Sequence, residues 1–356
     1  GNYLIPIRPD TGYAESALVE PWACVIAAYL LQYRTHLKPG GTAWFIGPDD
    51  GPFSLSDGME EDSHPGKIKL TNMNGSFGHW IRQRAKDLDI PVIEVDSIES
   101  VKNEADQTEQ VDDIILLSPT IALVERVSPY LTYQGTLAFS TQTPFEQKAA
   151  LDIGRVHYNR WLFLGGDDLD IAAIYRNAPK RSELRKDGRA FFVGAGGPMG
   201  RMHVQRALET PDHPSLIVCS DASDVRLKDL DDTFAQEAEE KGIEWLCINP
   251  MNKEAYQKTM EKFREKGFDD IIMLVPIPPV IADAAQWLAQ DGVMNVFAGV
   301  ARGTTVQIDL NDLAFRDVRI IGHSASHIDD MLTMLQKVES GELSTNRSVA
   351  AIGSLS

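Results

Sequence analysis

A glycine-rich segment, Gly194 to Gly200, directly follows the apolar run 191–193 and leads into a helical pattern that begins at Met199. Between a strand and a helix, glycines leave backbone N–H groups open, and the positive end of the helix dipole faces the same space. A pyrophosphate fits such a junction if no Cβ atoms block its approach. This spacing therefore predicts a phosphate-binding loop.

Each part of this loop has an expected role. We expect Gly194 to form the tight turn and Gly196 to let the backbone reach the phosphates, while Gly197 and Gly200 keep the loop open. The loop residues assigned to cofactor binding are Gly194, Gly196, Gly197, Pro198, Met199 and Gly200. The alternative is a glycine turn that only packs a helix on a sheet.

A carboxylate stands where a dinucleotide-binding fold needs one. The segment 215–220 predicts a second strand that ends at Asp221, which lies 21 residues after Gly200. A carboxylate there accepts hydrogen bonds from the ribose hydroxyls and repels a 2′-phosphate, so it favours NAD over NADP. NADP stays open as a cofactor because Arg226 can turn toward a 2′-phosphate. If Asp221 only caps a turn or a helix, the preference disappears.

Twelve apolar runs supply the sheets that position these residues. In the first half of the chain, strands are predicted at 43–46, 67–70, 92–95, 114–117, 137–139 and 161–164. In the second half, they are predicted at 191–193, 216–219, 245–248, 271–275, 294–297 and 319–321. Helices are predicted at 23–33, 169–176, 199–209 and 328–339. This alternation predicts an α/β fold of two tandem, doubly wound parallel sheets with flanking helices.

The two halves share residues at a constant separation. Asp112-Asp113-Ile114-Ile115 aligns with Asp269-Asp270-Ile271-Ile272, which lies 157 residues later. The same separation relates Leu117, Pro119, Leu131, Gly135, Asp152 and Gly165 to Leu274, Pro276, Leu288, Gly292, Asp309 and Gly322. These positions fall at strand ends and turns, and we interpret them as a domain duplication.

The first copy lacks the glycine-rich loop. Its first strand is followed by Gly47-Pro48-Asp49-Asp50, so two carboxylates stand where phosphates would lie, and Pro48 has no N–H to donate. The next segment, 54–62, is a poor helix. We therefore expect the first copy to bind no dinucleotide and to serve packing, dimerisation or the shape of a substrate site. Two cofactor sites in one chain are the less favoured alternative.

Composition narrows the class of partner. The chain has 356 residues, a formal net charge of −18 and a pI of about 4.8, which argues against nucleic acids and anionic membranes. No apolar stretch approaches the ~20 residues of a membrane span, and no signal peptide is visible. Cys24, Cys219 and Cys247 form no CxxC pair, so reduced thiols in a cytoplasmic protein are expected. Small molecules are the expected ligands.

Four segments together resemble the zinc-containing medium-chain dehydrogenase/reductase family. They are Glu20-Pro21-Trp22-Ala23-Cys24-Val25, the loop at 194–200, Phe297-Ala298-Gly299 and Gly322-His323-Ser324. The likeness is to the polyol, threonine and L-sorbose-1-phosphate reductase branch. Residues 3–30 and 170–345 carry the resemblance, whereas residues 40–165 depart from the family plan, which has one cofactor domain.

The resemblance implies a division of the chain. Residues 1–20 are expected to be the remnant of a missing N-terminal catalytic domain, and 21–167 a degenerate Rossmann-like domain. Residues 168–345 are expected to form the NAD(P)-binding Rossmann domain, and 346–356 to begin a truncated C-terminal segment. A homodimer or tetramer is one expectation for the assembly.

The resemblance also implies a reaction. It is hydride transfer between a nicotinamide cofactor and a secondary alcohol, sugar alcohol or ketose. The residues placed beside the nicotinamide are Val275, Pro276, Phe297 and Gly299. By resemblance Glu20 reaches a catalytic zinc or its water, and its alternative role is to cap a helix that begins at Pro21.

The remaining zinc ligands of that family are not in this sequence. We therefore assign no catalytic residue, expect zinc only in the full-length parent, and expect this chain to bind cofactor without turnover. His323 is interpreted as a loop residue. A different class of function is a non-catalytic nucleotide-sensing or assembly protein built from two Rossmann-like units. That alternative gains if the natural sequence upstream of residue 1 lacks Cys, His and Glu at metal-binding spacing.

Overall fold

A computed structural model describes residues 4–98, 110–177 and 181–349 of the chain. Its first part begins with a helix and then forms one sheet with its flanking helices. The elements in chain order are α1 (Tyr13–Ala27), β1 (Thr42–Ile46), β2 (Lys67–Thr71), α2 (Ser76–Asp87), β3 (Val92–Glu94), β4 (Val111–Leu117), α3 (Ile121–Val127), β5 (Leu131–Ser140), β6 (Ala149–Asp152), α4 (Ile153–Asn159) and β7 (Leu162–Gly166).

The second part repeats this plan and, among the described residues, has further helices after its first and third strands. Its elements are α5 (Ile171–Asn177), β8 (Arg189–Val193), α6 (Pro198–Glu209), β9 (Leu216–Ser220), α7 (Asp224–Glu240), β10 (Glu244–Ile248), α8 (Lys253–Met260), β11 (Phe268–Met273), α9 (Pro278–Ala285), β12 (Leu288–Val296), β13 (Thr305–Ile308), α10 (Leu310–Phe315), β14 (Arg319–Gly322) and α11 (Ile328–Glu339). Among the described residues, none of these helices has the length and apolarity that a bilayer span requires.

The strand order is the same in both sheets. It is β3-β2-β1-β4-β5-β7 in the first sheet and β10-β9-β8-β11-β12-β14 in the second, and all neighbours are parallel. In each sheet the second and third strands lie on one side of the first strand and the last three strands lie on its other side, which is the doubly wound Rossmann order. The predicted fold class is confirmed. We call the two sheets with their helices the first and the second unit.

Strands β5 and β12 begin earlier than predicted, because each contains an irregularity. The register shifts between Val111 and Asp113 in the first sheet and between Phe268 and Asp270 in the second. At these bends Gln134 and Asp291 adopt positive φ angles of 59° and 56°, and the matched Gly135 and Gly292 follow them. The repeated glycines thus belong to a bulge that both units share.

The repeated Asp-Asp pairs anchor the segment that enters each sheet. Asp113 accepts hydrogen bonds from the Arg34 side chain at 2.9 Å and from the Lys38 backbone N–H at 2.9 Å. In the second unit Asp270 contacts Arg181 and accepts the Arg185 N–H at 2.7 Å. Burial raises the pKa of Asp270 to about 6, although the charge of Arg181 opposes that shift.

The first helix is shifted toward the N-terminus, so the predicted bounds of 23–33 were wrong although residues 23–27 are helical. Helix α1 begins at Tyr13 and contains Pro21 in its interior, so Glu20 does not cap a helix that starts at Pro21. Proline removes one hydrogen bond from a helix interior. The buried face of α1, which includes Trp22 and Val25, compensates for that loss by packing on the second sheet.

The helices at the start of each unit pack on the opposite sheet. Helix α1 shares a core cluster with Phe192 of β8, whereas Ile171 and Ile174 of α5 share one with Phe45 of β1. The predicted boundary between residues 167 and 168 therefore precedes a helix that packs on the first unit. The boundary between residues 20 and 21 falls within α1. A third core cluster, which includes Trp44 and Phe191, spans both units.

The two units meet through a strand pair and through close contacts at the ends of their last strands. Strands β6 and β13 form an antiparallel ladder, in which Leu151 pairs with Val306. A Cβ atom on Gly165 would lie 2.9 Å from the backbone nitrogen of Ala314, and one on Gly322 would lie 2.7 Å from Cα of His157. The matched glycines thus allow each last strand to approach a helix of the other unit.

This close approach makes Gly322 sensitive to substitution. We expect Gly322→Ala to lower the free energy of unfolding by about 1–3 kcal/mol, because the new methyl group would press on backbone atoms that cannot rotate away. Chemical denaturation measures this loss. The control is Gly40→Asn, where a Cβ would meet nothing within 4 Å and asparagine tolerates the φ of 69°. Equal stabilities of the two variants would contradict this account of the contact.

Candidate functional site

The predicted phosphate-binding loop lies between β8 and α6, at the carboxyl end of the second sheet. Gly194 has a φ of 88°, a left-handed conformation that favours glycine. Its N–H and that of Ala195 both donate to the carbonyl of Ser220, at 2.8 and 2.9 Å. The turn is thereby fastened to the end of the neighbouring strand β9.

Three further glycines differ in what surrounds them. A Cβ on Gly196 would lie 2.8 Å from Oδ2 of Asp221, and one on Gly200 would lie 2.4 Å from the carbonyl oxygen of Ala195. A Cβ on Gly197 would have only one atom within 4 Å, at 3.9 Å. Gly200 therefore permits the close packing of helix and loop, and Gly197 faces open space from which a ligand can approach.

The N-terminus of α6 is free of a side-chain cap. Its N-cap is Gly197, Pro198 occupies the first turn, and no side chain accepts from the first turn in the described structure. Helices α7, α8 and α10 of the same unit are capped by Ser223, Asn252 and Asp309. The first turn of a helix has N–H groups without intrahelical partners, so α6 offers its donors to an anion.

Asp221 lies beside this helix end. Its Oδ2 accepts the Gly196 N–H at 3.1 Å, and its Oδ1 accepts the Ser223 N–H at 3.0 Å. The carboxylate is half-buried and is held at the mouth of the loop, while the neighbouring Arg226 is exposed. The structure therefore places Asp221 beside the glycine loop, although 21 residues separate it from Gly200 in the sequence.

The residues assigned to the nicotinamide end are partly brought to the loop. A Cβ on Gly194 would lie 2.9 Å from Cγ2 of Val275, so Val275 contacts the turn. Pro276 is exposed between β11 and α9. The ring of Phe297 packs edge-on against His203 with centroids 4.4 Å apart, so it faces the core. Gly299 faces the first unit instead.

A buried polar network beneath Phe297 was not anticipated. His203 of α6 is fully buried, and its Nδ1 lies 2.6 Å from the hydroxyl of Tyr29. Burial, with the nearby charge of Arg206, lowers the pKa of His203 to about 3, so the ring is neutral at pH 7. His323, directly after β14, is also buried, and burial lowers its pKa to about 4. In the sequence, only the place of His203 on the predicted helix 199–209 could have indicated that its side chain is buried.

Tyr158 of α4 is the residue that no sequence pattern marked. Its hydroxyl would lie 3.2 Å from a Cβ on Gly299, and the guanidinium of Arg302 lies 4.7 Å from its ring centroid. Because Tyr158 belongs to the first unit, its approach to the second unit depends on how the two units pack. The first unit thus borders the space at Gly299, one of the residues that the sequence assigns to the nicotinamide.

In the first unit a carboxylate of the chain occupies the equivalent region. Asp49 is buried and accepts the N–H groups of Gly75 and Gly78 at 2.6 and 2.7 Å, at the N-terminus of α2. The segment 54–62 contains no helix, as expected from its sequence. Asn72 follows β2 where Asp221 follows β9. An anion in this cleft would meet the Asp49 charge, and the donors of α2 already have an acceptor.

Glu20 and its surroundings do not fit a zinc site. Glu20 is exposed on α1 and accepts a hydrogen bond from Sγ of Cys24 at 3.2 Å. Burial, and then this bond to Glu20, raise the pKa of the Cys24 thiol to about 11, so it is protonated at pH 7. Within the described residues no three His, Cys, Asp or Glu side chains are grouped to hold a metal ion.

The strand order and the loop at its centre define a Rossmann-like α/β protein. No protein-family model matches the chain. It is 28% identical over 178 residues to YggP, an uncharacterized protein of Escherichia coli (strain K12), over 49% of this chain and 42% of that protein. It is 29% identical over 171 residues to the L-sorbose 1-phosphate reductase of Klebsiella pneumoniae, over 48% of this chain and 40% of that protein.

A third relative is the mannitol-1-phosphate 5-dehydrogenase of Aliivibrio fischeri, which is 24% identical over 177 residues, 48% of this chain and 41% of that protein. The chain thus spans about two fifths of the length of these relatives. The 2R,3R-butanediol dehydrogenase of Bacillus subtilis is a similar solved structure, with a TM-score of 0.35, 16% identity and coverage of 46% of this chain and 43% of that chain. Likeness at this level carries no argument about function.

Proposed function

We propose that this chain is the NAD(P)-binding portion of an alcohol or polyol dehydrogenase, whose substrates include sugar-alcohol phosphates. The observation that carries the proposal is the uncapped N-terminus of α6, preceded by the bare glycines of the loop and flanked by Asp221. The reductase and dehydrogenase names of two relatives support the same class of reaction.

In this proposal the backbone of the loop binds the pyrophosphate. The first turn of α6 directs its N–H groups at the phosphates, and Gly197 leaves room for them. Asp221, held by the Gly196 and Ser223 N–H groups, accepts hydrogen bonds from the adenosine ribose. Its charge repels a 2′-phosphate, so NAD is the preferred cofactor and NADP the weaker one.

The other half of the cofactor lies at the carboxyl ends of β11 and β12. There Val275 and the backbone at Gly299 border the space, and the neutral His203 ring supports Phe297 from below. A bound nicotinamide supplies a carbon that accepts or donates hydride. The residues of this chain orient that ring and exclude water from one of its faces.

A zinc-dependent parent and a homodimeric or tetrameric assembly are proposals that rest on the family resemblance. The described residues offer no zinc-ligand set, so no step in this account passes through a metal. We propose that the chain by itself binds cofactor without turnover, and that its location is cytoplasmic.

Titration with NADH and NADPH tests the proposal. We expect one NADH site per chain, with weaker binding of NADPH. Asp221→Asn should weaken NADH binding by about tenfold to a hundredfold, since a hydrogen bond to a charged acceptor is worth about 1.5–3 kcal/mol. The same change should reduce the difference between the affinities for NADH and NADPH. Asp224→Asn, the same change at an exposed position three residues on, is the control. A wild-type chain that binds neither dinucleotide would refute the function.

A further inference from the structure

An arginine at the start of β14 is buried with part of its guanidinium group unbonded among the described residues. Arg319 is 2% exposed, and its Nε and Nη1 have no hydrogen-bond partner in the part of the chain that the structure describes. Burial lowers the pKa of its guanidinium to about 10, so it remains charged at pH 7. A buried cation is costly unless an opposite charge or several acceptors surround it.

The architecture does not require a cation at this position. Leu162 of β7 occupies the place in the first unit that Arg319 of β14 occupies in the second, with the same separation of 157 residues. Leu162 is also buried. Because an apolar side chain fills the equivalent site, packing alone leaves the charge of Arg319 unexplained.

Tyr33 lies near two basic residues, Arg319 and Arg160. The guanidinium of Arg319 lies 4.9 Å from the centroid of the Tyr33 ring, which offsets part of the cost of burying its charge. The Tyr33 hydroxyl is itself buried without a partner among the described residues. Burial raises the pKa of Tyr33, whereas the charges of Arg319 and Arg160 act against that shift, so both cations lie near this side chain.

A cleft of about 110 Å³ opens beside these groups, between the two units. Tyr33, Arg160, Gln32 and Gly322 are among the residues that line it. The volume lies well below the roughly 300 Å³ at which pockets for drug-sized ligands begin. It therefore suits a small tetrahedral anion or one terminal group of a larger molecule.

The other cations that line the cleft already have partners. Arg34 pairs with Asp113 at 2.9 Å, and Lys38 pairs with Asp112 at 2.5 Å. Arg160 contacts the Tyr133 ring at 6.0 Å and forms no ion pair within the described residues. The carboxylate whose charge acts on Arg319 is Asp291, which is already paired with Arg185 at 2.6 Å. In a chain of net charge −18, a cleft lined by Arg160, which is unpaired within the described residues, and by Tyr33, which contacts Arg319, marks a place for an anion.

We propose that this cleft between the units binds a phosphate-type anion, either inorganic phosphate or the phosphate group of a small metabolite. Arg160 holds the anion from the lining of the cleft, and the anion compensates the charge of Arg319 behind Tyr33. Guanidinium groups suit this ligand because their planar N–H donors match phosphate oxygens. The site is separate from the cofactor loop, so it does not depend on the proposed function.

The test is titration with inorganic phosphate and, separately, with a hexitol 1-phosphate, at an ionic strength held constant with chloride. Calorimetry and thermal denaturation should show saturable binding and a rise in melting temperature. The Gly196→Val chain, whose cofactor loop is blocked, should respond as the wild type does. Binding of both ligands assigns the site to free phosphate, and binding of the hexitol phosphate alone assigns it to a metabolite.

Two substitutions locate the site. Arg160→Gln and Arg319→Leu should each weaken binding at least tenfold, whereas Arg264→Gln, an exposed arginine near the Trp287 ring, should leave it unchanged. In phosphate-free buffer Arg319→Leu should melt no lower than the wild type, since Leu162 fills the equivalent place. Arg160 is only half-buried, so Arg160→Gln is expected to fold. If Arg319→Leu does not fold, anion binding by Arg160→Gln alone tests the site. Unchanged binding in Arg160→Gln, or no saturable binding by the wild type, overturns the proposal.

Discussion

The Gly196→Val chain is expected to lose NADH binding by at least a hundredfold while remaining folded. A Cβ at this position would lie 2.8 Å from Oδ2 of Asp221 and 2.6 Å from Cβ of Arg226. The loop must therefore move away from Asp221, which breaks the 3.1 Å bond from the Gly196 N–H and places a side chain where the pyrophosphate approaches. Fluorescence or calorimetric titration with NADH measures the loss.

Two comparisons separate this effect from general damage. Gly242→Asn lies in the same unit at a φ of 70°, where a Cβ would meet nothing within 4 Å, and it should bind NADH as the wild type does. Circular dichroism and thermal melting should show that Gly196→Val keeps its secondary structure. NADH binding of wild-type strength in Gly196→Val would show that the cofactor lies elsewhere, with the first unit as the next place to look.

The second large effect is the dependence of stability on pH through His203. Its pKa is about 3 in the folded chain because of burial, against about 6.5 in an unfolded one. As the pH falls below 6.5, the unfolded chain takes up a proton that the native ring does not. The stability linked to His203 is therefore complete above pH 6.5 and is lost progressively toward pH 3.

This linkage is measurable as a difference between two chains. We compare the unfolding free energy of the wild type with that of His203→Gln. From pH 7 to pH 5 the wild-type value should fall by about 2 kcal/mol relative to the variant, because pH 5 lies about 1.5 units below the unfolded pKa of histidine. Comparison with the variant cancels opposing groups such as Asp270, whose raised pKa of about 6 makes the chain more stable as the pH falls. His79→Gln, at an exposed position on α2, should show no such change. A constant difference between wild type and His203→Gln across this range would disprove the buried neutral state.

The loop and the alternation of strands and helices could be predicted because neighbouring residues specify them. Glycine at residue 194 is favoured by its own positive φ angle. The open space at Gly197 is likewise local, since the one atom within 4 Å of a Cβ there belongs to Gly194. Parallel strands buried on both faces appear in the sequence as continuous apolar runs. The α/β fold could therefore be predicted without knowing which elements pack against each strand. The duplication itself remains an interpretation, supported by the shared strand order and the shared bulge.

The extent of α1 was predicted less well, since a proline such as Pro21 is typical of a helix boundary. Burial of Trp22 and Val25 against the second sheet outweighs the missing hydrogen bond, and that burial involves residues more than 160 positions away. The facing of Phe297 toward His203 had no local signal either, because the family resemblance fixed its position in the chain and not the direction of its ring.

Local sequence patterns predict the two parallel α/β sheets, the glycine loop of the second unit, and the carboxylates that stand in the corresponding place of the first. Contiguous apolar runs, glycines and prolines act within a few residues, so their consequences are local. Local patterns could not show that α1 and α5 pack on opposite sheets, that Tyr158 lies beside Gly299, or that Arg160 and Arg319 both lie near Tyr33. These contacts join residues of the two units, and only the packing of one unit on the other brings them together.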